Sequence, residues 1–179
     1  MSTNSNAPMM PSASKHGFFL GLALILMQTI FYLADIQVNS GIGYLSYLVL
    51  IGGLFLAIKA YRDQHNNGYL KYGRAVGYGV LVSLFSGIIA SVFVFILYGI
   101  IDPGLIDKLL LESENAMMDQ GLDGEQLEMA MEMNKKFMTP TMMSIFGVIG
   151  QVFMGLVFSL VLAVFLKKED ANTFENDTL

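Results

Sequence analysis

Residues 75–101 read AVGYGVLVSLFSGIIASVFVFILYGII, with no Asp, Glu, Lys or Arg. A helix of that length reaches roughly 40 Å at about 1.5 Å per residue. A hydrocarbon core is about 30 Å thick. Such a helix can therefore cross a bilayer and must tilt or project beyond it. Outward from this run the pattern repeats. Residues 17–34, 36–58 and 137–166 are also free of those four residue types. Backbone groups in lipid need partners within the chain, so each run is expected to be α-helical. A soluble reading would leave almost no polar surface to enclose four such runs. The expected fold is all-α and polytopic, with four transmembrane helices at about 17–35, 42–60, 75–101 and 141–166.

Charge is segregated rather than scarce. Charged residues make up 14% of the 179 positions, against about 25% in soluble domains. All of them lie outside the four runs. Cysteine is absent, which removes disulfides, thiolate nucleophiles and cysteine metal sites. The first run could be a cleaved signal peptide. Met1–Ser14, however, carries no charge and only Lys15 and His16 flank the run, so an uncleaved anchor is expected. Residues 1–14 and 169–179 read as disordered tails.

Lys and Arg mark the cytoplasmic side of a membrane protein. Lys15, Lys59, Arg62, Lys71, Arg74, Lys167 and Lys168 fall on one side of a four-span topology. Lys108, Lys135 and Lys136 fall on the other. Both termini are thus expected in the cytoplasm.

The third and fourth spans repeat small or polar residues every fourth position: Ala75, Gly79, Ser83, Gly87 and Ser91, then Gly147, Gln151, Gly155, Ser159 and Ala163. Small residues at this spacing let helices approach closely. Because steps of four drift by about 40° on a 3.6-residue helix, two or three steps can share one crossing. A conduit lined by small residues is one reading. Helix packing through Gly79, Ser83, Gly87, Gln151, Gly155 and Ser159 is the expected one, within the chain or toward a protein partner or second copy. Gln28 and Gln151, the most polar side chains in the spans, are each expected to make an interhelical hydrogen bond rather than a substrate contact.

Between the third and fourth spans, residues 102–138 form the largest polar piece. Nine acids stand there against three lysines. Asp102 and Pro103 suit a helix start. Leu105, Ile106, Leu109 and Leu110 recur at helical spacing, and Gln120–Gly124 reads as a turn. In residues 125–138, Leu127, Met129, Met131 and Met133 alternate as in a strand, but Met, Glu, Ala and Leu are helix formers. An acidic extracytoplasmic helical hairpin is expected, with Thr139 capping the last span and Pro140 opening it.

Eight of the thirteen methionines lie between 117 and 143. Thioethers suit Cu(I), which makes Met129, Met131, Met133 and Met138 the candidate ligands, with Met142 a further one. On a helix Met129 and Met133 share a side and Met131 points away. Packing is therefore expected instead, with no metal and no cofactor. The basic, tyrosine-rich loop 61–74 suits headgroup anchoring and not nucleic acid. No phosphate loop, HExxH or Gly-x-Ser-x-Gly occurs, and no Asp, Glu, Lys, Arg or His lies within the four charge-free runs. No enzymatic activity is expected.

Three stretches resemble the uncharacterised bacterial membrane family DUF4199. They are Gly68-Tyr-Leu-Lys-Tyr-Gly-Arg-Ala-Val-Gly77, Tyr98-Gly-Ile-Ile-Asp-Pro103 and Glu132-Met-Asn-Lys-Lys-Phe-Met-Thr-Pro140. The likeness spans about residues 15–167. It implies four spans and an inner-membrane location, and it implies no activity or site residues. The function expected is a non-enzymatic assembly, accessory or structural membrane subunit. The alternative is a transporter or binding protein for a small solute or soft metal ion.

Overall fold

The computed structural model describes residues 9–34, 41–66 and 68–168. Six α-helices account for most of them: α1 (Met9–Leu33), α2 (Leu45–His65), α3 (Tyr72–Ile96), α4 (Gly104–Asp119), α5 (Gly124–Phe137) and α6 (Pro140–Leu166). A 3-10 turn, Gly41–Tyr44, leads into α2, and a π-helical segment, Leu97–Ile101, continues α3. The fold is all-α, a multi-pass membrane protein. Four helices are long and apolar enough to span a bilayer, and α4 and α5 form a hairpin between the third and fourth spans. Among the described residues the sole β-type pairing is an isolated antiparallel bridge between Leu70 and Lys168.

The helices overrun several expected boundaries. Residues 9–14 were expected within the amino-terminal tail, yet α1 begins at Met9, with Ser12 and Ala13 buried. The Ser12 hydroxyl bonds Tyr78 of α3, which holds this extra turn. Pro11 is tolerated because first-turn N–H groups lack intrahelical partners anyway. Residues 1–8 and 169–179, the remainder of the expected tails, lie outside the described residues, as does the 35–40 link. The second span runs on to His65 with Arg62 in its last turn, where the helix dipole favours cations.

The chain divides into two compact units. One comprises residues up to Ile89 together with those from Gly150 onward; the other is Ala90–Ile149. In the first, the core is built from Leu20 of α1, Leu50, Leu54, Ala57, Ile58 and Tyr61 of α2, Ala75, Tyr78 and Val82 of α3, and Ala163 and Leu166 of α6. Most other large apolar side chains are exposed, Phe19, Leu26, Leu56, Phe153 and Phe165 among them. That is the expected arrangement where lipid is the solvent.

In the second unit, α4 ends in a Schellman motif. Leu122 N–H donates to Met117 O at 3.1 Å and Gly121 N–H donates to Met118 O at 2.9 Å. Gly121 has φ +87°, a backbone state that costs glycine nothing. Met131 of α5 is buried, and Asn134 Nδ2 donates to Ser113 Oγ of α4. Thr139 Oγ1 accepts from Met142 N–H at 3.3 Å and so caps α6. The helix at residues 125–138 therefore prevails over the strand pattern. A straight α-helix was expected through Ile101, but Asp102 N–H bonds Leu97 O at 2.8 Å, five residues back, the wider π turn.

Candidate functional site: a small-residue seam and a tyrosine–histidine network

Within the first unit, α3 and α6 meet through reciprocal glycine and serine contacts. A Cβ placed on Gly155 would stand 1.9 Å from Ser83 Oγ, and one on Gly79 would stand 2.0 Å from Ser159 Oγ. Each helix thus presents a glycine to the other's serine, one turn apart, in antiparallel register. Ala75 and Ala163, each 0% exposed, extend the seam by another turn. Ser83 Oγ donates to Gly79 O at 2.9 Å. Gln151 Nε2 donates to Ser86 Oγ at 3.2 Å, and Ser86 Oγ donates to Ser83 O at 3.1 Å. Ser159 Oγ is buried without a hydrogen-bond partner among the described residues. Packing this close leaves no lumen between the two helices at these positions.

The structure thus brings Gly79, Ser83, Gln151, Gly155 and Ser159 into one seam. Gly87 is also buried on α3, whereas nothing lies within 4 Å of a Cβ on Gly147. Gln28 is half-buried on α1. The drift of a four-residue step off a 3.6-residue helix explains why the stripe is used in part.

A second close contact was not singled out from the sequence. A Cβ on Gly17 would stand 2.5 Å from Phe85 Cβ, and one on Gly21 would stand 2.9 Å from Ile89 Cβ. Gly17 and Gly21 form a GxxxG pair inside the first charge-free run, a signal available by inspection.

At one end of this unit lies a polar aromatic network. Tyr78 and Tyr61 stack with centroids 4.0 Å apart and an interplanar angle of 12°. The Tyr78 hydroxyl is 2.8 Å from Ser12 Oγ and 2.8 Å from His16 Nδ1, and His16 Nδ1 is also 2.9 Å from Ser12 O. Arg74 Nη2 donates to Tyr61 OH at 3.1 Å. His65 stacks on Tyr61 at 5.7 Å, and its buried Nδ1 has no hydrogen-bond partner among the described residues. His16 borders the first charge-free run and His65 lies in the basic loop 61–74. The structure brings them to opposite sides of one tyrosine pair. The network ties α1, α2 and α3 together.

In the second unit, Met131 lies on a different side of α5 from Met129 and Met133. Met131 is 8% exposed, whereas Met129 and Met133 are 60% and 62% exposed on the other side of α5. Among the described residues, no group of three or more His, Asp or Glu is placed to hold a metal ion.

The family model described as Protein of unknown function (DUF4199) matches residues 15–168. The chain belongs to the DUF4199 family. The matched region contains the whole seam, the hairpin and every network residue except Ser12. Among curated proteins and solved structures, none matches this DUF4199 member.

Proposed function

We propose that this DUF4199 member is a non-enzymatic assembly or accessory subunit of a bacterial inner membrane, with both termini in the cytoplasm. Its α4–α5 hairpin is offered to a protein partner or a second copy on the opposite side. The observation that supports this reading is the outer face of the hairpin. Met129, Met133 and Phe137 line one side of α5 and are 60%, 62% and 49% exposed. Glu125, Glu128 and Glu132 are exposed beside them. Flexible thioethers suit adaptable protein contacts. The close α3–α6 seam favours a structural membrane domain over a conduit. The competing reading, transport of a small solute or soft metal ion, is weakened by the divergence of Met131 from Met129 and Met133.

A photo-crosslinking side chain in place of Met133, in native membranes, should capture one discrete protein species or a second copy of the chain. A strictly solitary protein that moves solute in liposomes overturns the proposal. Orientation is tested separately by single cysteines at Asn39, Asn67 and Gln120. An impermeant thiol reagent on spheroplasts should label Asn39→Cys and Gln120→Cys. Labelling of Asn67→Cys reverses the topology.

A further inference from the structure

We propose that Lys71 and Lys167, set opposite each other by the Leu70–Lys168 bridge, hold the phosphate of an anionic lipid headgroup. The bridge is a hydrogen-bonded antiparallel pair. Leu70 N–H donates to Lys168 O at 2.7 Å, and Lys168 N–H donates to Leu70 O at 3.0 Å. In that register Lys71 and Lys167 are the next pair of residues toward the spans, one on each side of the bridge. Like charges placed opposite each other repel. Both side chains are exposed, and no described carboxylate pairs with either. The one described acid at this end, Asp63, is taken by Arg62, whose Nε lies 2.7 Å from Asp63 Oδ1. Among the described residues the juxtaposition lacks a negative charge, and two lysine point charges suit a phosphate.

Depth identifies the source of that phosphate. The helix α3 begins at Tyr72 and α6 ends at Leu166, so each lysine directly flanks a spanning helix, at headgroup level. Tyr69 and Tyr72 are 40% and 36% exposed beside them. Lys168 Nζ stands 5.7 Å over the Tyr69 ring, and Tyr72 OH donates to Leu160 O at 3.3 Å. Immediately below, Phe165 and Val164 are 77% and 55% exposed on α6. They offer an apolar surface to the acyl chains, which a free anion would not use. Arg62 Nη1 donates to Leu166 O at 3.3 Å and further fixes the end of α6.

The test adds short-chain phosphatidylglycerol to the full-length protein in mild detergent and reads the dissociation constant by native mass spectrometry. Each lysine replaced, in Lys71→Gln and Lys167→Gln, should weaken binding about fivefold. The charge-preserving pair Lys71→Arg with Lys167→Arg should bind within about twofold of the parent, because an interfacial cation acts largely through its charge. Lys108→Gln, in the hairpin, should leave binding unchanged. Phosphatidylcholine of equal chain length should bind weakly to all variants. Two results overturn the proposal. One is unchanged phosphatidylglycerol binding in the folded double glutamine variant. The other is competition by inorganic phosphate at equal concentration, which assigns the lysines to a free anion.

Discussion

At the α3–α6 seam the contacting side chains are Gly79, Ser83, Gly155 and Ser159, whereas inside the α4–α5 hairpin they include Met131, Asn134 and Ser113. The seam has almost no side chain to bury. Lipid tails are as apolar as leucine, so burying a large apolar residue between spans gains little, and association depends on how closely backbones approach. The hairpin is polar over most of its surface, and there the removal of a methionine from water carries a hydrophobic gain. Glycine is thus the stabilising residue in one region and methionine in the other. Exposure differs in meaning too. Phe165 on α6 belongs to an apolar spanning helix, whereas Met133 on α5 is exposed on a helix rich in acids.

This contrast can be broken by substitution, and Gly155→Leu should have the largest effect. Its Cβ alone would overlap Ser83 Oγ and Cβ, 1.9 Å and 2.3 Å away. A loss of about 3 kcal/mol is expected from overpacking. Leu156→Ala, next to it and 38% exposed, should cost under about 1 kcal/mol, since lipid solvates either side chain. Thermal aggregation in detergent ranks the pair, and equal stability would discredit the seam.

Met131→Ala should come next, at about 2 kcal/mol, the low end for truncating a buried methionine. Hydrogen exchange of the α4 and α5 amides should report it as local opening of the hairpin while α3 and α6 stay protected. Simultaneous loss of protection in the spans would show that the two regions do not respond separately.

Tyr78→Phe removes the hydroxyl shared by Ser12 and His16 but keeps the stack on Tyr61. A loss of about 1 kcal/mol is expected, the scale of a hydrogen bond between helices in lipid. The same detergent assay measures it, and Ser12→Ala in the Tyr78→Phe background should add little because the two share one interaction.

Met129→Ala, on the open face of α5, should change stability by less than about 0.5 kcal/mol. Stability loss comparable to Met131→Ala would mean that the exposed face is already covered within the chain.

The four spans were legible because absence of charge over some twenty residues has one physical cause, the hydrocarbon core. The cap at Thr139 and the turn at Gln120–Gly124 were legible because they depend on local backbone chemistry. Helix 125–138 was decided by propensity where periodicity was ambiguous, and Met131 points inward as helical spacing requires. The start of α1 was not legible. Ser-Ala-Ser at 12–14 has the composition of a tail, and only the distant Tyr78 hydroxyl makes it worth ordering. The tyrosine–histidine network escaped for the same reason. Its members come from three helices, and nothing in the spacing along one helix announces which face another helix will meet. The π turn at Leu97–Ile101 likewise leaves no mark in an unbroken apolar run.

The Leu70–Lys168 bridge has a consequence for synthesis. The two residues of that bridge are separated by more than half of the chain. While α3 is entering the membrane, the N–H and C=O of Leu70 have only water and headgroups to bond. They acquire their partners after the ribosome has passed residue 168 and α6 has crossed. The same late arrival brings Gly155 and Ser159 to Ser83 and Gly79. A nascent chain with three spans inserted is therefore an open assembly whose third helix still exposes its glycine and serine face. The last span acts as a latch, and the order of translation decides when it closes.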